Sequence, residues 1–248
     1  MDLTGKKALI TGGSSGVGAD MARRFADLGA EVWIVARRAD ALATVADHST
    51  NIKTITADVS REEDVARMFE VAGPCDIVIA NAGVSMGKQF VKTTLDDWHY
   101  MMDVNLTGVF LTMREGLRTM PKGWGRMIVV ASIAGLRGVP HASVYAATKH
   151  GVVGLVKSVA YETAQTGITV NALCPGYLNT EMTDKNIDVI VQKTGMSRDD
   201  AAKLLTKDNP QGRMIEASEV TDAALYLISD GATSVNGHPL VISGGMDT

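Results

Sequence analysis

Tyr145 and Lys149 stand four residues apart in Tyr145-Ala146-Ala147-Thr148-Lys149. On a helix that spacing puts both side chains on one face. A phenol is a proton donor with an ordinary pKa of about 10, and an adjacent ammonium stabilises its phenolate. Such a pair suits a carbonyl carbon that accepts hydride, because the oxygen must take a proton. Lowering the phenol by about 2 units corresponds to roughly 3 kcal/mol, which one close cation in a partly dry site can supply. The chain has five tyrosines, and only this one has lysine at +4. The pair alone is a weak signal. Ser132 strengthens it: it ends an apolar run 13 positions earlier, and its hydroxyl can hold and orient the same oxygen.

A hydride needs a carrier. Thr11-Gly12-Gly13-Ser14-Ser15-Gly16-Val17-Gly18 follows one apolar run and opens another. Glycines let backbone approach a pyrophosphate, and a helix N-terminus offers free N–H groups and the positive end of a dipole. The spacing departs from G-x-G-x-x-G, but a strand before and a helix after are the expected dinucleotide context. About 20 positions on, an NAD site would place an acid for the ribose 2′-hydroxyl. Arg37 and Arg38 stand there instead. Arginine suits a 2′-phosphate, so NADP(H) is the expected cofactor, with NAD(H) possible. Arg37, first after the strand, is the stronger candidate; Arg38 stacks on adenine or faces solvent. A solvated turn is the plain alternative. Asp40 reads as a helix N-cap.

Alternating apolar strands and amphipathic helices must position these groups. Strands are expected at 7–11, 31–36, 52–57, 76–80, 126–132, 168–173 and 239–242. Helices are expected at 16–28, 40–47, 61–72, 95–120, 143–166 and 216–229. Ser60 and Glu63 form a capping-box pattern at the third helix. The pattern specifies an α/β single-domain Rossmann fold, a doubly wound parallel sheet of about seven strands with helices on both faces. No linker divides residues 1–248. The polar stretch 180–212, partly helical and without a strand, reads as a lid-like insertion.

In order and spacing, several stretches resemble the short-chain dehydrogenase/reductase family along the whole chain, and 3-oxoacyl and polyketide ketoreductases within it. They are Thr11-Gly12-x-x-x-Gly16-x-Gly18, Asp58-Val59, Asn81-Ala82-Gly83, Asn105, Ser132, Tyr145-x-x-x-Lys149 and Pro175-Gly176-x-x-x-Thr180. The resemblance implies that Asn105, Ser132, Tyr145 and Lys149 are catalytic, with Asn105 in a water relay to Lys149. It implies a cofactor held by Gly12, Ser14, Ser15, Gly16, Val17, Gly18, Arg37, Arg38, Asp58, Val59, Asn81, Ala82, Gly83, Pro175, Gly176, Leu178 and Thr180, with Tyr145 and Lys149 reaching its ribose. Asp58 would meet the adenine amino group. Two departures stand out: Ala80 replaces an asparagine common before Asn-Ala-Gly, and Ser15 a basic residue found in some NADP-using relatives.

The resemblance also implies a homotetramer or homodimer. The expected reaction reduces a 3-oxoacyl thioester-like ketone or runs in reverse. The alternatives are an NAD-dependent dehydrogenase of a cyclic, steroid-like or small secondary alcohol, and a non-catalytic dinucleotide sensor. The sensor is disfavoured because Tyr145 and Lys149 are both present. A net charge of −4 argues against nucleic acid as partner. No apolar run reaches membrane-spanning length, so no membrane partner is expected. Cys75 and Cys174 have no metal-ligand spacing, and no metal is expected. They suggest no disulfide framework either, which fits the cytoplasm.

Overall fold

The strands at the middle of the sheet carry no polar alternation because both of their faces are covered. Every residue of β4 (Ile77–Ala80), β5 (Gly125–Val130) and β6 (Ile168–Pro175) is buried. In the computed structural model, which describes residues 1–246, they join β1 (Lys7–Thr11), β2 (Glu31–Ala36), β3 (Ile52–Thr56) and β7 (Pro239–Ile242). The result is one parallel sheet of order β3-β2-β1-β4-β5-β6-β7. The edge strand β3 is less covered: Ile52 and Ile55 are buried on opposite faces, while Lys53, Thr54 and Thr56 are exposed.

Strand periodicity sends alternate residues into two apolar layers. Leu9, Val78, Val129 and Ala172 face one layer with Met68 and Phe69 of α3 (Glu62–Ala72) and Val152 and Val156 of α6 (Ser143–Thr163). Ile10, Ile79, Ile128 and Leu173 face the other. There they meet Met21 and Phe25 of α1 (Gly16–Asp27), Leu42 of α2 (Ala39–Ala46) and Leu227 of α9 (Ala217–Ile228). Full burial of a side chain such as Phe25 stabilises by about 1.5–3 kcal/mol. Strand order reverses between β1 and β4, and such switch points open a crevice at the strands' carboxyl ends. Among the described residues no helix is long and apolar enough to cross a membrane.

Three local expectations are corrected. The helix expected to run unbroken from 95 to 120 is α4 (Leu95–Met102) and α5 (Gly108–Thr119), separated by a π-helical stretch, Asp103–Thr107. Thr94 caps α4 in a capping box with Asp97. Ser60 is not the cap of α3: its hydroxyl donates to Asp58 at 2.7 Å, while Asp64 reaches back to the Asp58 amide at 2.8 Å. Asp40 is not the cap of α2 either; Arg38 holds that position and Asp40 lies in the first turn. The 180–212 stretch contains α7 (Glu181–Thr194) and α8 (Arg198–Thr206). Arg198 ties them together through ion pairs with Asp184, at 3.1 Å, and Asp188.

Candidate active site

The glycine turn is fastened from behind. The Thr11 hydroxyl accepts from the amides of Asn81 (3.0 Å) and Ala82 (3.1 Å). The Asn81 carboxamide donates to the carbonyls of Thr11 (3.0 Å) and Gly12 (3.1 Å). A side chain cannot be inserted here: a Cβ on Gly18 would lie 2.4 Å from the Gly12 oxygen. Gly12 also needs its φ of +67°. Ser15 begins α1 without a side-chain cap, so the first-turn amides stay available to a ligand.

Beside the turn lies an open hollow of about 460 Å³. Ser14, Ser15 and Gly16 form one wall, Ala41, Thr44 and Val45 of α2 another, and Arg23, Arg38, Asp40 and Glu181 supply its charges. Arg37, favoured over Arg38 from sequence order, is exposed and outside this lining, because α2 starts immediately after Arg38 and draws that residue over the hollow. Asp58 accepts from the Ser60 amide at 3.0 Å, an Asx turn at the end of β3 that keeps Val59 buried.

The chemistry-bearing side chains meet past the carboxyl end of β5. Ser132 is 8% exposed, and its hydroxyl accepts from the Ala134 amide at 3.1 Å. Lys149 is 3% exposed and donates from Nζ to the Val130 carbonyl at 2.8 Å. Its Nζ lies 5.7 Å from the centre of the Tyr145 ring. Burial pushes the Lys149 ammonium down to about 8. Burial also pushes the Tyr145 phenol up, and hydrogen bonding to Ser132 offsets this only in part. The expected lowering of Tyr145 by Lys149 is therefore absent. The ammonium bonds a backbone carbonyl instead, in surroundings too dry to favour charge.

Asn105 sits in the π stretch and is fully buried. Its Oδ1 accepts from the Val84 amide at 2.8 Å and its Nδ2 donates to the Val84 carbonyl at 2.9 Å. A Cβ on Gly83 would stand 3.3 Å from that Oδ1 and 3.8 Å from Lys149 Nζ. The π turn thus aims Asn105 at the segment after β4, beside Lys149.

A family model described as short chain dehydrogenase matches residues 6–190. The chain belongs to the short-chain dehydrogenase family. This short-chain dehydrogenase is an oxidoreductase, and its relatives span its full length. It is 34% identical to a D-beta-hydroxybutyrate dehydrogenase of Rhizobium meliloti, covering 97% of this chain and 98% of the relative. It is 36% identical to a putative ketoacyl reductase of Streptomyces coelicolor, covering 96% of each. A variant of actinorhodin polyketide ketoreductase, crystallised with NADPH, superposes with a TM-score of 0.89 at 35% identity, covering 97% of each chain.

Within this short-chain dehydrogenase, Pro175 ends β6, and the Gly176 amide donates to the Ile242 carbonyl at 2.9 Å. Leu178 bridges to Ile215, and Asn179 donates to the Ile215 carbonyl at 2.9 Å. Thr180 then lies over the glycine turn, its Cγ2 3.5 Å from where a Gly16 Cβ would be. Most residues read from the sequence therefore converge on one edge of the sheet. His141, between Ser132 and Tyr145 in the chain, is exposed with a φ of +62°, and its carbonyl accepts from the Lys88 amide. Sequence reasoning passed over Arg23 and Glu181. Their one signal is position, on the second turn of α1 and at the start of α7, and it acquires meaning only once these helices are packed.

Proposed function

We propose that this oxidoreductase uses NADP(H) to interconvert a 3-oxoacyl thioester-like ketone and its secondary alcohol. The observation that carries it is the meeting of Ser132, Tyr145 and Lys149 beside a glycine turn whose adjoining hollow presents arginine. The similar proteins support the substrate class. Two of their names, 3-oxoacyl-acyl-carrier-protein reductase (Rickettsia prowazekii, 33% identical) and D-beta-hydroxybutyrate dehydrogenase, share an oxygen on the third carbon of an acyl chain, and a third, ketoacyl reductase, names a ketone on an acyl chain.

The residues present fit a dinucleotide: Gly12 and Gly18 leave backbone bare at the turn, uncapped α1 amides suit a pyrophosphate, and Arg38 suits a 2′-phosphate. Ser14, Ser15, Gly16 and Val17 would contact the phosphates. Asp58, Val59 and Asn81 to Gly83 would flank the adenosine half, with Pro175, Gly176, Leu178 and Thr180 along the nicotinamide half. The bound nicotinamide supplies or accepts the hydride. Ser132 holds the substrate oxygen, and Tyr145 gives it a proton from a phenol that burial keeps protonated at neutral pH. Lys149 binds ribose hydroxyls and steadies the phenolate that remains, and Asn105 anchors the path by which a proton returns.

In the same reading residues 1–246 act as one domain, with 180–212 as a lid over the crevice. Phe110 on α5 and Tyr161 on α6, 43% and 87% exposed, support assembly into a homotetramer or homodimer through those helices. The two buried free cysteines suit a cytoplasmic setting. Steady-state kinetics on acetoacetyl-CoA with NADPH and NADH tests the reading. Rapid NADPH consumption is expected. Preference for NADH, with brisk oxidation of free 3-hydroxybutyrate, would replace it by a dehydrogenase of a small secondary alcohol.

A further inference from the structure

The hollow at the end of β2 is charged in a way that one arginine does not explain. Its lining holds two carboxylates, Asp40 from the first turn of α2 and Glu181 from the start of α7. With Arg38 as sole cation the lining would be net negative, and a doubly charged phosphate would be repelled. Asp40 alone would accept a hydrogen bond from an unphosphorylated ribose, which favours the opposite cofactor.

Arg23 changes that balance. Ala19 and Arg23 are one turn apart on α1, and both line the hollow. Arg24, the next residue, points away and pairs with Asp222 at 3.8 Å. Among the described residues, neither the Arg23 nor the Arg38 guanidinium has an ion pair or side-chain hydrogen bond. Two permanently charged side chains thus border a space bounded by the uncapped start of α1, whose dipole adds positive potential.

We propose that Arg23 is a second 2′-phosphate anchor, forming with Arg38 a two-guanidinium clamp that overrides Asp40 and decides cofactor choice. This deepens the NADP(H) reading and rests on it. In the clamp each guanidinium donates to phosphate oxygens, and the two cations offset Asp40 and Glu181. The dipole of α1 then tips the hollow toward an anion. Loss of either arginine leaves a lining in which acids outnumber bases, so both are required.

Direct binding to the cofactor-free protein tests this without turnover. Isothermal titration with 2′,5′-ADP and with 5′-AMP reads the phosphate separately from the adenosine. Wild type should bind 2′,5′-ADP the more tightly. Arg23→Gln should weaken 2′,5′-ADP by about 10- to 100-fold, the scale of one charge-assisted hydrogen bond, and leave 5′-AMP within about twofold. The unchanged 5′-AMP affinity doubles as the folding control. Arg23→Lys, which keeps charge but loses the fork, should fall between. Should Arg38→Gln lose the preference while Arg23→Gln and Arg23→Lys match wild type, the clamp is wrong and the NADP(H) reading survives. A wild type that does not distinguish the two ligands would overturn both.

Discussion

At the scale of single residues, the site contrasts two buried groups that burial drives the same way, toward neutrality. Tyr145→Phe removes only the phenolic hydroxyl, so cofactor binding and melting temperature should hold while turnover falls about 10²–10⁴-fold. Activity within tenfold of wild type would remove Tyr145 as proton donor. Lys149 makes a prediction about stability. Its ammonium titrates at about 8 in the folded chain against 10.5 for the free side chain. Between those values the unfolded chain binds more protons, so stability should rise with pH across that window. In urea titrations, wild type should gain up to about 3 kcal/mol from pH 8 to 10.5 relative to Lys149→Met. Parallel curves for the two proteins would show that Lys149 is not desolvated. That shared drift toward neutrality was hidden in the sequence. The Tyr-x-x-x-Lys spacing reveals the pair, but the Val130 carbonyl that takes the ammonium comes from a strand 19 residues earlier.

At the scale of elements, the informative departure is the π stretch that breaks the helix expected from 95 to 120. Apolar periodicity continues through it, so nothing in the pattern announces an extra residue in the turn. The family resemblance singled out Asn105, and the backbone shows how it is presented. Asn105→Leu should leave the half-buried amide and carbonyl of Val84 without their partner. Each orphan costs about 1–3 kcal/mol, and chemical denaturation should register at least the lower figure. The glycine turn was legible because only glycine tolerates its contacts. Gly18→Ala, 2.4 Å from the Gly12 oxygen, should abolish dinucleotide affinity by calorimetry even where the fold survives. For α7 and α8, joined through Arg198, hydrogen exchange should slow across 181–206 on adding NADPH, with β4 and β5 unchanged. Equal exchange with and without cofactor would argue against a lid.

At the scale of the whole molecule, the sheet was readable because its central strands are too apolar to have a wet face. Five of seven strand starts, at Lys7, Glu31, Ile52, Ile168 and Pro239, fall where the pattern places them, and helix ends drift by a few residues. Placement of charge was less legible: Arg38 rather than Arg37 lines the hollow, since which arginine turns inward depends on where α2 starts. The strand order has a further consequence, in time rather than space. Every neighbour in the sheet is parallel, so no pair can close by a hairpin, and β1 must wait for β4, with Ala8 opposite Ile77. Such distant pairings impose a large loop entropy before any reward, which slows folding and prolongs exposure of unpaired edges. A nascent chain that has emerged through residue 82 already owns the glycine turn and the Asn81 and Ala82 amides that fasten it. It acquires Tyr145 and Lys149 only after some 70 more residues have emerged. Cofactor present during synthesis therefore meets a half-built cradle long before there is any chemistry to perform.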